Sequence, residues 1–249
     1  MPRSQSFLNI LPEESKDNPK LCIALLGGGG KTSLMFQLGD EFAHQNKHTL
    51  LTSITKAGPP QNVPMTLIGA NGNISLPQLF DLQNPIYLLS EQIEENKYKG
   101  ISPAQLESFL PEADVTIFEC DGSRNLPLKA HSEWDPMVPD FASCVIIIIG
   151  ADVIHSKISE GKIHRPELFK SLWHIDNTTT IDVELVSEIV TNHKGYLSKI
   201  PEPVSKIYFV NKADAHPEEA HSLGESISLN TSSPVYFGSV KKTWWEQIS

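Results

Sequence analysis

The chain has 249 residues, with 20 Lys+Arg against 30 Asp+Glu and a formal charge of −10. That length buries a core without disulfide or metal staples, and 39% hydrophobic with 20% charged residues excludes a disordered chain. The acidic balance excludes a nucleic-acid partner held by clustered cations. It permits a small phosphate ligand, because backbone N–H groups at a helix start bind anions whatever the net charge. Cys22, Cys120 and Cys144 are far apart and odd in number, so neither a disulfide framework nor a zinc knuckle is expected. The longest aliphatic run, residues 145–149, is far short of a membrane span, and residues 1–20 lack the apolar core of a signal peptide. The expectation is a cytoplasmic protein with no membrane partner.

In chain order, residues 1–20 are polar and read as a flexible arm. Residues 21–26 (LCIALL) are a continuous apolar run, the signature of a parallel strand covered on both faces. Leu34, Met35, Leu38 and Phe42 recur at helical spacing, so a helix over 31–44 starts directly after four glycines. A second strand covers 48–53. Residues 54–84 are rich in Gly, Pro and Asn and carry weak signals; a strand follows at 85–89. Ser102 as N-cap and Pro103 at the first helical position open a helix to 110. Strands at 114–119 and 144–149, helices at 165–173 and 182–193, then strands at 206–210 and 234–237 around a helix near 217–227 complete the pattern. This alternation predicts an α/β, three-layer fold with a mainly parallel sheet, which the strand–glycine–helix junction over 21–33 makes P-loop NTPase-like. It is read as a single nucleotide-binding domain over 21–249 with an elaboration around 54–111.

The strongest chemical signal is the strand–glycine–helix junction LCIALL-GGGG-KTS. Gly27, Gly28, Gly29 and Gly30 let the backbone turn its N–H groups toward a phosphate, and the following helix adds its positive end. Lys31 reaches terminal phosphate oxygens, the Thr32 hydroxyl suits a magnesium ion, and Ser33 could assist. The strict GxxxxGK[ST] spacing would need glycine where Leu25 stands, so this is a shorter GxxGKT form.

Further signals follow in order. The strand at 114–119 ends in Glu119-Cys120-Asp121-Gly122, a Walker B arrangement in which Asp121 or Glu119 holds magnesium directly or through water. Thr52, Thr55 and Lys56 follow the second strand, as a switch element or a simple loop. Asn211-Lys212-Ala213-Asp214 follows an apolar strand and matches NKxD, the guanine-reading motif. Its Asp accepts from guanine N1–H and the 2-amino group, a donor pair adenine lacks. Asn211 would brace the loop and touch the base edge, and the Lys212 stem would cover the base. Ser239-Val240-Lys241 reads as a surface loop, although it is similar to a second guanine-contacting loop. Trp244-Trp245 reads as a packing anchor.

These motifs together resemble the YqeC-type family. The resemblance rests on GGGGKTS, TSITK at 52–56, ECDGSRNLPLKAHSEWDPMVP at 119–139, IIIIGAD, His164-Arg165-Pro166-Glu167 and NKAD, in order over most of residues 21–215. It implies a P-loop GTPase-like accessory factor of selenium-dependent molybdenum hydroxylases, with a hydroxylase or cofactor-biosynthesis protein as partner and a homodimer left open. In the long motif Asp121 would be the metal acid, and Arg124 and Lys129 would neutralise phosphate or bind a second anionic group. Arg165 is either a charge-stabilising finger or the start of a helix. The family pattern has Ala, Pro and His where this chain has Cys120, His131 and Trp134. The expected ligands are therefore Mg2+ and GTP, with ATP second because NKAD selects guanine. The expected activity is GTP hydrolysis in cofactor maturation. An ATP-dependent ligase or kinase with a Mur-like loop and a non-hydrolysing nucleotide-binding regulator are the rivals.

Overall fold

The computed structural model describes residues 5–13, 20–60, 63–69, 74–202 and 204–249. Its centre is a nine-stranded sheet in the order β13-β12-β11-β9-β1-β7-β2-β4-β3, where β1 is Leu21–Gly27, β2 Thr49–Ser53, β3 Met65–Leu67, β4 Ile86–Leu89, β7 Val115–Glu119, β9 Cys144–Gly150, β11 Ser205–Asn211, β12 Val235–Ser239 and β13 Trp244–Gln247. Every pairing is parallel except β12 with β13. The most central strands, β1 and β9, are buried at every residue, as their unbroken apolar runs require when both faces are covered.

The two faces are covered differently. Ile23 and Leu25 of β1, Ile117 of β7 and Ile146 and Ile148 of β9 pack on α1 (Lys31–His44), whose Leu34, Met35, Leu38 and Phe42 form its inner stripe. Ala24, Leu26, Phe118, Ile147 and Ile149 point the other way. That face is covered by α2 (Leu76–Phe80), α3 (Pro103–Phe109), α5 (Val183–Thr191) and α6 (Pro217–Ser228). α3 begins with a capping box between Ser102 and Gln105. α4 (Pro166–Trp173) starts at a proline and has the half-exposed Arg165 as its N-cap.

Part of the arm is core. Phe7–Ile10 forms a 3-10 turn whose Phe7, Leu8 and Ile10 are buried, and Phe7 meets the Phe209 ring edge-on at 5.6 Å. The reading of 1–20 as a flexible arm is therefore corrected for 7–11, where the apolar FLNIL run fills the α1 side of the sheet. Residues 1–4 and 14–19 lie outside the described residues. Within the 54–111 elaboration, β3 and β4 extend the sheet itself, and β5 (Glu91–Glu94) with β6 (Lys97–Lys99) forms an exposed hairpin. Two more short strands, β8 (Leu128–Lys129) and β10 (Ile163–His164), pair side by side beyond the sheet.

Candidate functional site

β1 lies between β7 and β9, with Leu25 paired to Glu119 and Gly27 to Ile148. β11 joins from the far side of β9, with Asn211 beside Gly150. Parallel strands end on one side, so the glycine turn, the acids after β7, the loop after β9 and the Asn211 loop open at one edge.

The glycine turn is wedged between its neighbours. A side chain at Gly28 would stand 2.3 Å from the Leu126 carbonyl oxygen; Gly29, at φ +77°, would bring one to 2.4 Å from Gly150 N. This closeness changes which amides are available. Gly27 N–H donates to Asp121 Oδ1 (3.0 Å), Gly28 N–H to Ile148 O (2.9 Å) and Gly29 N–H to Leu126 O (3.0 Å). The first glycines therefore shape the turn and do not offer their N–H groups to a ligand. The first-turn amides of α1, at Lys31, Thr32 and Ser33, have no intrahelical acceptor. Their N-cap, Gly30, supplies no side-chain cap, so the positive end of α1 faces outward.

Beneath the turn lies a buried charge cluster. Asp121 is 0% exposed. Its Oδ1 stands 3.2 Å from Lys31 Nζ, and its Oδ2 stands 2.9 Å from His131 Nε2 and 3.2 Å from Lys129 Nζ. Burial alone would raise the Asp121 carboxyl, but Lys31, the His131 hydrogen bond and Lys129 override it and hold the group well below the usual carboxylate range. Lys31 Nζ also donates to the Gly27 carbonyl and lies 3.4 Å from Ser123 Oγ. Burial pushes His131 down toward its neutral form, against the pull of Asp121. Its Nδ1 has no hydrogen-bond partner among the described residues, and its ring meets Tyr196 edge-on at 4.4 Å.

The cluster continues through Lys129 to Asp135 (2.8 Å). Asp135 also accepts from Ser132 N–H (2.8 Å), Ser132 Oγ (3.0 Å) and the Arg165 guanidinium. Its burial raises the carboxyl, but Lys129, Ser132 and Arg165 together hold it far below the ordinary range. Buried Lys199 completes the loop by donating to Glu133 O (3.2 Å) and Asp135 O (3.0 Å). His164, beside Arg165, is pushed down to about 4 by burial and by Lys129, Arg165 and Arg124.

Glu119 is placed otherwise. It is half-buried, faces the cleft and accepts a hydrogen bond from the exposed Thr32 hydroxyl. Desolvation raises its carboxyl and the Asp121 charge adds to this, while Lys31 and Thr32 pull the other way. The Thr32–Glu119 pair of cleft-facing oxygens fits an oxygen-ligated cation such as magnesium, which keeps several waters and takes only one or two protein ligands. Asp121 does not fit: both oxygens are committed to protein donors and neither reaches the cleft. The expectation that Asp121 is a metal ligand is corrected accordingly. Lys129, expected to meet phosphate, is likewise 1% exposed and spent on Asp121 and Asp135.

The NKAD loop is tied to the glycine turn by one side chain. Asn211 Nδ2 donates to Gly29 O (2.8 Å), and its Oδ1 accepts from Val240 N–H (3.0 Å). Asn211 therefore braces, with both polar atoms engaged by protein. The same bond makes the Ser239-Val240-Lys241 loop, read from sequence as surface, part of the site. Lys212, at φ +71°, pairs its amine with Asp152 (2.7 Å), and Asp214 is exposed in the cleft.

These groups line one cleft of about 1770 Å3, together with Gly29, Gly30, Ser33, Arg124 and Arg165. Thr55 and Lys56 line it too, whereas Thr52 is buried and donates to Leu88 O (2.6 Å). Cys120 is fully buried, its thiol pushed up by burial and 3.5 Å from Met137 O, so it presents no thiolate to the cleft. Sequence reasoning missed Ser123, Asp135, Lys199 and Tyr196. Ser132-Glu133-Trp134-Asp135, a polar residue three before an acid, carried the only local hint of the 132–135 turn.

The chain is similar to known proteins in sequence and in fold. The chain is 28% identical over 194 residues to the uncharacterized protein YqeC of Escherichia coli (strain K12), covering 76% of this chain and 75% of that protein. Among solved structures it is similar, at a TM-score of 0.44 and 15% identity, to the signal recognition particle receptor FtsY of Elizabethkingia anophelis in complex with GDP; the match covers 94% of this chain, which spans 65% of that receptor. The YqeC protein family model matches residues 23–167, the stretch holding the glycine turn, both acids after β7, the Lys129–Asp135 network and Arg165; the chain belongs to the YqeC family.

Proposed function

We propose that this P-loop NTPase-like chain binds GTP with magnesium and hydrolyses it in the cleft at the ends of β1, β7, β9 and β11. The observation that carries the reading is the Asn211 bridge, which locks the loop bearing Asp214 to the glycine turn preceding Lys31 and Thr32. The glycine turn with Lys31 and Thr32 and the loop with Asp214 thereby line one cleft, which supports a phosphate reader and a base reader acting on one ligand. In this reading the amides of Lys31–Ser33 and the start of α1 hold the phosphates. Lys31 swings from Asp121 and the Gly27 carbonyl to a terminal oxygen, and the lost partner of Asp121 is replaced in part by Lys129 and His131. Thr32 and Glu119 hold magnesium, which when bound screens charge on the phosphates. Asp214 accepts from the guanine edge.

Competition binding tests this. GTP is expected to displace a labelled nucleotide at least tenfold more effectively than ATP, and Asp214→Asn to shift preference toward xanthosine nucleotides. Tighter ATP binding would favour the ligase or kinase chemistry instead and overturn the base assignment. Magnesium-dependent binding without hydrolysis would leave a nucleotide-binding regulator.

The family resemblance supports placing this activity in maturation of a selenium-dependent molybdenum hydroxylase in the cytoplasm, with the hydroxylase or a cofactor-biosynthesis protein as partner. Deleting the gene should then lower hydroxylase activity while hydroxylase protein is still made; unchanged activity refutes the placement.

A further inference from the structure

The cleft is larger than one nucleotide site needs. Small-molecule pockets commonly span about 300–1,000 Å3, against about 1770 Å3 here. It is also lined by seven Lys/Arg and five Asp/Glu, in a chain whose acids outnumber its bases 30 to 20. Its wall includes Lys56, Arg124, Trp134, His164 and Arg165, and Asp135 ties the Trp134 loop to Arg165.

Three features of that wall point to a ligand. Arg124 (φ +52°) and Arg165 (φ +63°) are both held in the left-handed region without glycine. Such backbone costs about 1–2 kcal/mol per residue and collects at binding sites. Among the described residues, every Lys or Arg with positive φ (these two and Lys212) lines the cleft. The second feature is Trp134, 84% exposed on a loop that is anything but loose. Lys199 pins the carbonyls on either side of it, and Asp135 binds Ser132, Lys129 and Arg165. A rigidly mounted, exposed indole offers a flat face for stacking. The third is spare donor capacity. Arg124 is exposed and makes no hydrogen bond or ion pair among the described residues; Arg165 uses one terminal nitrogen on Ser132 and Asp135, leaving the rest of its five N–H groups.

The geometry points to a second ligand subsite in this cleft, formed by Arg124, Arg165, Lys56 and the face of Trp134, that takes a small molecule with a planar aromatic body and a phosphate or carboxylate group. It goes beyond the nucleotide reading and holds whichever base the other end accepts. Lys129 has no part in it, being buried with Asp121 and Asp135. A guanidinium pair reads the anionic group by charge-assisted hydrogen bonds, and the cationic lining raises the local concentration of such anions.

The test uses the full chain, with and without saturating GDP and magnesium, and three probes: flavin mononucleotide, riboflavin and inorganic phosphate. Flavin mononucleotide should bind with quenched flavin fluorescence, at least about tenfold tighter than riboflavin and than inorganic phosphate measured with GDP present, as one or two charge-assisted hydrogen bonds would give. Arg124→Ala should weaken it about tenfold or more, and Trp134→Ala should remove most of the quenching; both side chains are exposed, so the fold survives. Saturating GDP should leave one flavin mononucleotide bound. If GDP displaces the probe one for one, and Lys31→Ala abolishes both, the probe sat in the nucleotide site and the proposal falls. It also falls if flavin mononucleotide does not bind, or binds no better than riboflavin. Binding of the probe to a chain that takes no GDP would uphold the subsite and overturn the nucleotide reading alone.

Discussion

Glu119 and Asp121 leave the same strand two residues apart and end in opposite surroundings. Glu119 stands at the cleft wall with one hydrogen-bond donor, the Thr32 hydroxyl, and a carboxyl raised by burial. Asp121 is sealed under the glycine turn with Lys31, Lys129, His131 and the Gly27 amide around it. An acid whose lone pairs are all answered by protein is part of the scaffold, and one with open lone pairs at a cleft wall is available for chemistry. The motif alone leaves Asp121 and Glu119 open as metal acids, and the family resemblance favours Asp121.

Mutation should separate the two. Asp121→Ala takes the shared carboxylate from Lys31, Lys129 and His131 in the interior, and should cost about 3–5 kcal/mol in urea unfolding. A loss under 1 kcal/mol would mean that the pocket is wet and Asp121 free for a metal. Asp135→Ala is expected next, at about 2–4 kcal/mol, because it removes one of the two carboxylates on buried Lys129 and frees the Ser132 and Arg165 ends of the loop. Asn211→Ala breaks two hydrogen bonds and should cost about 2 kcal/mol, together with a drop in GTP affinity that a purely local brace would not produce.

The pH profile gives a smaller but cleaner test. Burial holds His131 below its ordinary value of about 6.5. Below that pH the unfolded chain binds a proton that the native chain refuses, so stability falls as pH drops, by no more than about 1.4 kcal/mol per unit for this group. His131→Asn should flatten the slope between about pH 6.5 and 5, leaving the share due to His164, which is pushed down to about 4. Asp121 and Asp135 act lower still. Their carboxyls are held down, so their contribution is complete above about pH 4 and is lost as the medium becomes more acid. The smallest stability change belongs to Glu119→Gln, within about 1 kcal/mol and of either sign, since a desolvated carboxylate is replaced by a neutral amide. That variant should nevertheless lose magnesium-dependent nucleotide binding or turnover. Retention of both would return the metal to another residue.

Much of the fold was legible because its strands are buried on both faces. LCIALL and CVIIII read as continuous apolar runs, and α1 showed its stripe at Leu34, Met35, Leu38 and Phe42. The β5–β6 hairpin was not legible: Glu91–Glu94 is exposed throughout and has no apolar side to betray it. Trp244-Trp245 was read as an anchor, and it is one. Trp245 meets Tyr236 and Trp244 meets Phe237 edge-on, on an antiparallel edge strand whose pairing no local pattern announced. In the site, Lys31 and Thr32 were legible from their place after glycine, and Asn211 from NKAD. The division between Glu119 and Asp121, and the burial of Lys129, depended on which side chains arrive from 131, 135, 165 and 199. A one-dimensional reading has no access to that.

The placement of β1 carries a consequence for the newborn chain. The glycine turn takes its shape from Leu126, Ile148, Gly150 and Asn211, residues that leave the ribosome roughly 100 to 180 positions later. Until β7 arrives, about 90 residues after β1, the apolar strand has no parallel neighbour to pair with, and parallel pairing over such separations is slow. The hydrophobic β1 is therefore exposed to wrong partners until β7 and β9 have emerged. Asn211 closes on Gly29 O and is itself held by Val240 N–H, so the turn takes its final shape only after β11 and the loop following β12 have emerged. Any ligand bound at the turn would thereby favour the fully assembled sheet over partly formed ones.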